Sequence, residues 1–335
     1  MKTLTELHCP ECQSLKIEPF KKYNTVHNGK RSLLKCEECD NVFSETAGTP
    51  MQDIKSPISK VAAVLKIRSE GMGLRATGRV LGMHKKTVAK WEQLFGDQKE
   101  TLMLYILCHE FVSLVFEGDE LYTVVGKRTD AHASEGWTAI IMERSSRFIV
   151  DQRCGTKDAA LFESVMSTVC EYISRTGDLS FFSDGERRYG NTLFAFCAEV
   201  LRTGKLGRPP KTLPQGVKVR VKNKGDQKHK RGPKRKKYQA PHKEHPATDQ
   251  NLNESSIHAN HVEANNAAMR RRNSAFRRRT NTYAKTVSGL QRTLDMYWVL
   301  HNFVRKHWTT GKVPAVAMGV LCAPLSLEDI LMMQK

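Results

Sequence analysis

The stretch VFEGDELYTVVGKR, residues 115–128, places three carboxylates inside a run that otherwise has the pattern of a buried strand. Apolar residues before and after the acids predict a β-strand. The acids are Glu117, Asp119 and Glu120, and two interpretations fit their position. Either the strand has a face exposed to solvent, or an acid binds a catalytic metal ion and is held in place by the strand around it.

The sequence after this stretch predicts strands that alternate with helices. Apolar runs at 137–142 and 148–152 flank a polar turn and predict a hairpin. Residues 157–178 carry apolar side chains at helical spacing, and LSFFSDGERRYG (179–190) then predicts a strand that runs into Asp184. Three antiparallel strands, a helix, a strand and a helix follow the order of a ribonuclease-H-like α/β core, in which acids on adjacent central strands can meet.

Asp119 and Asp184 are therefore candidates to share a divalent metal ion. Magnesium prefers hard oxygen ligands and keeps several waters, so a few carboxylates and the phosphate oxygens of a substrate suffice to bind it. Two such ions about 4 Å apart can activate an attacking oxygen and stabilise a leaving one. Either aspartate alone is more simply a turn or strand-end residue, but their joint occurrence after apolar strands favours the catalytic interpretation.

A third acid is expected from a later helix, in the segment SSIHANHVEANNAAMRRRNSAFRRRTNTYAK (255–285). Glu263 is the candidate from this segment, and Glu254 just before it is the reserve choice. Helical spacing predicts a polar, mostly basic stripe that continues from this carboxylate. The stripe comprises Asn266, Arg270, Asn273 and Arg277. Its arginines would follow DNA phosphates while the acid binds metal; a solvated face is the alternative.

Two C-x-x-C pairs near the start of the chain, Cys9 with Cys12 and Cys36 with Cys39, have the spacing of a zinc ribbon. Each pair offers two thiolates from one tight turn, and two such turns form the tetrahedral four-sulfur shell that zinc prefers. We expect this zinc to supply much of the folding free energy of so small a unit. Redox-active or unrelated cysteines are the alternative.

Residues 57–96 predict helices that include a helix-turn-helix. In LRATGRVLGMHKKTVAKWEQLF (74–95), two apolar helical patterns flank a turn at Gly82. The second helix would present a basic face to the major groove of DNA. That face comprises His84, Lys85, Lys86, Thr87 and Lys90. A plain three-helix bundle is the alternative.

The formal net charge of +19 over 335 residues favours a polyanionic partner, and nucleic acid is the first expectation. Residues 202–245 contain sixteen Lys or Arg and two acids, a net charge of +14. Extended basic arms can lie along a DNA groove, where counterion release favours each contact. The candidate contacts are Arg208, Lys211, Arg231, Lys234 and Arg235. Within this insertion VKVRVK (217–222) has the pattern of a short strand with a basic face; a solvated linker and a nuclear-localisation-like run are the alternatives.

The order of these motifs resembles the insertion-sequence-one (IS-one) family of DDE transposases, in a form with a long insert. The resemblance rests on CPEC and CEEC, followed by GMGLRATGRVLGMHKKTVAKW, DELYTVVG, SDGERRYG and a helix with VEANN. It covers roughly residues 9–95 and 112–305 and implies an acid triad at Asp119, Asp184 and Glu263. In shorter members the second and third acids lie much closer together, whereas here they are 79 positions apart (263 minus 184).

The expected architecture is a multidomain α+β protein with a basic insertion in its catalytic domain. The expected parts are a zinc ribbon (1–50), a helix-turn-helix domain (51–100), a ribonuclease-H-like catalytic domain (108–310) with its insertion (202–256), and a C-terminal tail (311–335). Residues 1–12 lack a long apolar core, and no stretch of the sequence approaches a membrane span. We therefore expect a cytoplasmic protein associated with the nucleoid.

The resemblance implies a DNA transposase of an insertion element. Such a protein binds terminal repeats, cuts a strand with magnesium or manganese, and joins the resulting 3′ hydroxyl to target DNA. Double-stranded DNA is the expected partner, and a homo-oligomer is expected because two element ends must be held together. The alternatives are a non-catalytic, zinc-dependent DNA-binding regulator and a nuclease of the same fold.

Overall fold

The structure is a computed structural model that describes residues 6–202, 204, 206–222, 238–248, 252–277 and 280–335. The predicted DNA contacts Arg231, Lys234 and Arg235 lie outside the described residues.

The N-terminal part is an antiparallel sheet of strands β1 (Ile17–Thr25), β2 (Gly29–Cys36) and β3 (Val42–Ser44). The turn between β1 and β2 closes at Gly29, whose φ of +67° is a left-handed conformation that glycine adopts without steric cost. The apolar core of this unit consists of Cys9, Leu34, Cys36 and Phe43. Burial alone therefore gives this sheet little stability.

Helices occupy the next part of the chain. They are α1 (Ile58–Ser69), α2 (Leu74–Val80), α3 (Lys85–Gly96) and α4 (Gln98–Leu107). The turn between α2 and α3 contains Gly82 at a φ of +61°, at the position where the sequence predicts a turn. The sequence predicts an apolar face of α3 with Val88, Trp91 and Leu94; the structure buries Val88, Trp91 and Phe95 and leaves Leu94 half-buried.

Strands dominate the centre of the chain. In chain order they are β4 (Leu114–Tyr122), β5 (Trp137–Glu143), β6 (Ile149–Gly155), β7 (Leu179–Asp184), β8 (Glu199–Val200), β9 (Lys211–Thr212), β10 (Val217–Lys222) and β11 (Tyr238–Gln239). Among the residues that the structure describes, six of these strands form one mixed sheet in the order β11–β10–β7–β4–β5–β6. Strand β7 is parallel to both β4 and β10, and the other pairs are antiparallel. The predicted hairpin, now β5 and β6, is confirmed.

Six further helices lie between or after these strands in the described part of the chain. They are α5 (Ala159–Ile173), α6 (Arg188–Cys197), α7 (Asn260–Arg272), α8 (Val287–Val299), α9 (Pro314–Ala317) and α10 (Leu327–Leu331). Of these, α5 to α8 pack on the sheet. Short 3₁₀ turns lie at Ala131–Ala133, Glu254–Ser256 and Ser274–Phe276, and a π-helical turn at Leu300–Val304 extends α8. None of the helices in the described ranges has both the length and the apolar character needed to cross a bilayer.

Helices cover both faces of the sheet. Successive residues of β4 point to opposite sides and therefore contact different helices. On one side the Phe116 ring packs edge-on against Tyr172 of α5, with ring centroids 5.5 Å apart. On the other side Glu117 and Asp119 both contact α7. Glu117 and Asp119 therefore lie in the layer between the sheet and α7.

Part of the segment assigned to a basic insertion belongs to the central sheet. VKVRVK forms β10, which pairs with β7 along its whole length and buries its three valines. The predicted basic face is not a free one, because Arg220 is only 8% exposed and pairs with buried Glu244. The alternation of valine with charged residues places the three valines on one face of the strand, and that face packs on the core.

Residues 311–335 pack against the rest of the chain. Leu327, Ile330 and Leu331 of α10 are buried in the main core. The side chain of Gln334 accepts a hydrogen bond from the backbone N–H of His8 (2.7 Å) and donates to the carbonyls of His8 and Ala47. The C-terminal segment thus connects the N-terminal sheet to the main core.

Candidate active site and metal centres

Strands β4 and β7 place Asp119 and Asp184 next to each other in the sheet. The two strands are parallel, and their last registered pair is Gly118 with Ser183, so each aspartate comes one residue later. Asp184 is the final residue of β7 and is also in register with Lys222 of β10. Adjacent residues of parallel strands point to the same face, so both aspartates are on the α7 side.

Helix α7 places Glu263 beside Asp119. The amide of Asn266, one turn after Glu263, donates a 2.8 Å hydrogen bond to Asp119 Oδ2. Asp119 and Glu263 line the same open cavity of about 380 Å³, together with Glu120, Asn266 and Arg270. Carboxylates that are 144 positions apart in the chain (263 minus 119) therefore face one space.

The electrostatic environment of Asp119 favours a bound cation. The pKa of Asp119 is raised to about 6, mainly by burial and also by the negative charges of Glu120 and Glu263, against the opposing hydrogen bonds of the Glu120 backbone and Asn266. A positive ion among these carboxylates would relieve the repulsion.

The donor chemistry of this cavity fits magnesium or manganese, which prefer carboxylate oxygens. The three predicted acids do not form one tight cluster. Within the described ranges, the sets of three or more potential ligands whose atoms all lie within 4.8 Å of one another are Cys9–Cys12–Cys36–Cys39 and Glu117–His258–His261. The structure therefore brings Asp119 and Glu263 to one cavity and leaves Asp184 on the neighbouring strand.

Glu254 and the predicted arginine stripe differ from expectation. Glu254 lies exposed in a 3₁₀ turn, and the residues that line the cavity do not include it.

Helix α7 ends at Arg272, so the stripe does not continue to Arg277 as predicted. Asn273 is buried instead; it caps the following 3₁₀ turn and donates to Thr293. Helical spacing could not reveal this, because an asparagine competes locally with the helix for backbone hydrogen bonds.

The four N-terminal cysteines converge as their spacing predicts. Cys9 Sγ lies 3.6 Å from Cys39 Sγ, and Cys12 Sγ lies 3.5 Å from Cys36 Sγ. Sulfurs bound tetrahedrally at the usual zinc–sulfur distance of about 2.3 Å would be about 3.8 Å apart, so the cluster fits a zinc ion.

The predicted recognition face of α3 points to solvent. His84, Lys85, Lys86 and Lys90 are exposed, and Thr87 is half-buried. His84 caps the helix by accepting the Lys86 N–H at its Nδ1. A second open cavity, of about 490 Å³, lies beside this face and is lined by Arg75, Arg79, His84 and Lys85, among others.

The opposite face of α3 packs on α1 and α8. Glu92 is fully buried and forms ion pairs with Arg68 of α1 and with Arg292 of α8.

Of the basic residues predicted to contact DNA from the insertion, Arg208 and Lys211 are exposed.

The site also contains an acid that the sequence did not single out as a metal ligand. Glu117 is completely buried between β4 and α7, where it contacts His261 and Arg144. The signal available in the sequence was its position two residues before Asp119, which places both acids on the same face of the strand.

No protein-family model and no curated protein matches the chain. Among solved structures it is similar to the Mos1 mariner paired end complex with Mn, at 12% identity and a TM-score of 0.17. It is also similar to a pre-cleavage Mos1 transpososome, at 11% identity and a TM-score of 0.16. Each match covers 41% of this chain and 56% of the other. Matches this weak carry no structural argument.

Proposed function

We propose that the protein is a DNA transposase of an insertion element, in which Asp119, Asp184 and Glu263 bind magnesium or manganese. The observation that carries the proposal is the cavity that Asp119 and Glu263 share. Asp119 and Asp184 each come one residue after Gly118 and Ser183, the last registered pair of β4 and β7. The strand order supports a ribonuclease-H-like core, because three antiparallel strands continue into two parallel ones. The motif order in the sequence is the basis for assigning the IS-one family.

The proposed reaction is phosphoryl transfer in two steps. A water oxygen bonds to phosphorus as the bond to a 3′ oxygen breaks, which leaves a 3′ hydroxyl; that hydroxyl then attacks a target phosphodiester in line and displaces its 3′ oxygen. Bound magnesium or manganese would supply Lewis-acid activation of the attacking oxygen and stabilisation of the leaving one. Because positioning and charge neutralisation supply the rate, no protein nucleophile is required.

The chain's own residues orient and hold the reacting groups. Asn266 fixes one oxygen of Asp119 through its amide hydrogen bond. Arg270 lines the cavity one turn beyond Asn266, where a guanidinium suits the phosphates of the bound strand. The exposed basic face of α3 would bind the element ends, and zinc at the four cysteines would stabilise the ribbon. Two ends held together require a homo-oligomer, and the proposed location is the nucleoid.

The test is metal-dependent cleavage and joining of double-stranded DNA that carries the sequences flanking the gene. We expect Asp119→Asn, Asp184→Asn and Glu263→Gln each to lower the cleavage rate by about 100-fold or more while DNA affinity is kept. Glu254→Gln is the matched control, because Glu254 lies on the approach to α7 but outside the cavity.

The outcomes separate the candidate functions. Cleavage by the three acid variants at the wild-type rate would show that the acid assignment is wrong. Cleavage by the wild type without strand joining would identify a nuclease, and DNA binding without cleavage would identify a regulator.

A further inference from the structure

Glu117 is a buried carboxylate that the proposed reaction does not use. It is 0% exposed, and a charge in such a place must be satisfied by hydrogen bonds. From the described residues it accepts four of them. Its Oε1 accepts from Arg144 Nε and His261 Nδ1, both at 2.7 Å, and its Oε2 accepts from the backbone N–H groups of His261 (2.9 Å) and Val262 (3.1 Å).

The two backbone donors lie in the first turn of α7. The first N–H groups of a helix have no partner within the helix, and a side-chain oxygen at the preceding position usually accepts one of them. In α7 that position is Ala259, which has no such oxygen. Glu117 supplies the cap from a neighbouring strand instead, and its negative charge lies at the positive end of the helix dipole.

Arg144 completes the connection. Its Nε binds Glu117, while Nη1 and Nη2 donate to the carbonyls of Ser256 (2.6 Å) and His258 (2.7 Å), in the segment that leads into α7. Arg144 directly follows β5, so one guanidinium joins two strands of the sheet to the start of the helix. Burial opposes ionisation of Glu117, but the His261 hydrogen bond and the charge of Arg144 outweigh it and lower its pKa.

We propose that Glu117 is the positioning residue for Glu263. The backbone amides that Glu117 holds belong to the two residues directly before Glu263, and Asp119 is two residues after Glu117 on β4. One carboxylate therefore fixes the distance between the strand that carries the first acid and the helix that carries the last. This inference rests on the proposed function, in which both acids bind the catalytic metal.

A transition-metal site is the competing explanation, because the ligand atoms of Glu117, His258 and His261 lie within 4.8 Å of one another. Two histidines and a carboxylate can bind such an ion. The geometry argues against it here. Both oxygens of Glu117 already accept two hydrogen bonds each, and the guanidinium of Arg144 occupies the position 2.7 Å from Oε1 where a second cation would be repelled.

The experiment compares Glu117→Gln with Glu143→Gln in the full chain. Glu143 is a matched control, because it is also a buried sheet acid that accepts backbone N–H groups, but those of Ser145 and Ser146, away from α7. We expect Glu117→Gln to speed amide exchange at the start of α7 and to weaken Mn²⁺ binding, measured by electron paramagnetic resonance, by about 10-fold. Cleavage should recover at saturating Mn²⁺. Glu143→Gln should change neither exchange in α7 nor Mn²⁺ affinity.

A rescue variant keeps the test decisive if Glu117→Gln folds poorly. Adding Ala259→Ser gives α7 a local cap, and we expect it to restore amide protection and part of the Mn²⁺ affinity. Unchanged amide exchange and unchanged Mn²⁺ affinity in Glu117→Gln would overturn the proposal. A wild type that binds two Zn²⁺ ions per chain, of which Glu117→Gln loses one, would also overturn it, because Glu117 would then be a metal ligand. If Glu263→Gln cleaves DNA normally while Glu117→Gln still loosens α7, the proposed function fails but the cap itself stands.

Discussion

Burial keeps some single side chains in this molecule in one protonation state. His301 is a case outside the candidate active site: it is 4% exposed, and its Nε2–H donates to the carbonyl of Arg147 at 2.8 Å. Burial lowers its pKa to about 3, from an ordinary value of about 6.5. Between these two values the unfolded chain binds a proton that the folded chain does not, so stability falls as the pH falls.

We predict that His301→Gln weakens the loss of stability in mild acid. The wild type should lose about 2 kcal/mol more free energy of unfolding than the variant between pH 7 and pH 5, because a glutamine amide keeps a donor for Arg147 but does not titrate. Urea unfolding curves at both pH values measure the difference. Parallel pH dependence in the two proteins would show that His301 does not contribute to the acid sensitivity.

At the scale of elements, α3 has two faces with separate roles. Its inner face binds α1 and α8 through Glu92, which is buried between Arg68 and Arg292. Its outer face exposes a row of basic residues. The periodicity of the sequence predicted both faces, but it could not show that the inner face packs on a helix some 200 positions later, as the ion pair of Glu92 with Arg292 demonstrates.

We predict that the outer face of α3 binds DNA through phosphates. Replacing Lys85, Lys86 and Lys90 by alanine should lower the affinity and make the dependence of log affinity on log salt shallower by up to about 0.9 per lost contact. Fluorescence anisotropy with element-end DNA over a range of NaCl concentrations measures this slope. Lys60→Ala with Lys66→Ala, exposed lysines of α1, is the control, and an unchanged slope in the α3 variant would exclude this face as the contact.

At the scale of the whole molecule, the two ends of the chain are joined. Gln334 bonds to the backbone of His8 and Ala47, and Gln98 of α4 donates to the carbonyl of Met333 at 2.7 Å. The cysteine cluster belongs to the N-terminal sheet, which these hydrogen bonds join to the C-terminal segment and whose apolar core is very small. We therefore expect the folding of this unit to depend on bound zinc, and loss of the zinc to loosen the C-terminal segment as well.

We predict that stripping zinc unfolds the N-terminal sheet and loosens the C-terminal segment while the central sheet stays folded. Hydrogen exchange followed by mass spectrometry should show faster exchange in residues 7–47 and 332–335, and little change in β4 to β7. Cys322→Ser is the control, since this exposed cysteine lies outside the cluster. Zinc-free protein with unchanged exchange in residues 7–47 would contradict the prediction.

The sequence by itself determined the local chemistry of this protein. Two residues between paired cysteines force a tight turn, so the C-x-x-C spacing fixed the four-sulfur cluster. Alternating and helical apolar patterns fixed the hairpin of β5 and β6, helix α5 and strand β7. Asp119 and Asp184 could be selected because each interrupts or ends an apolar strand.

The tertiary structure alone decided which distant segments meet. It brought Glu263 to the cavity of Asp119, gave Glu117 to α7 as a cap, ended α7 at Arg272 and placed β10 beside β7. The physical reason is that periodicity shows which face of an element is apolar but not which partner covers that face. That choice depends on the packing of side chains that are far apart in sequence.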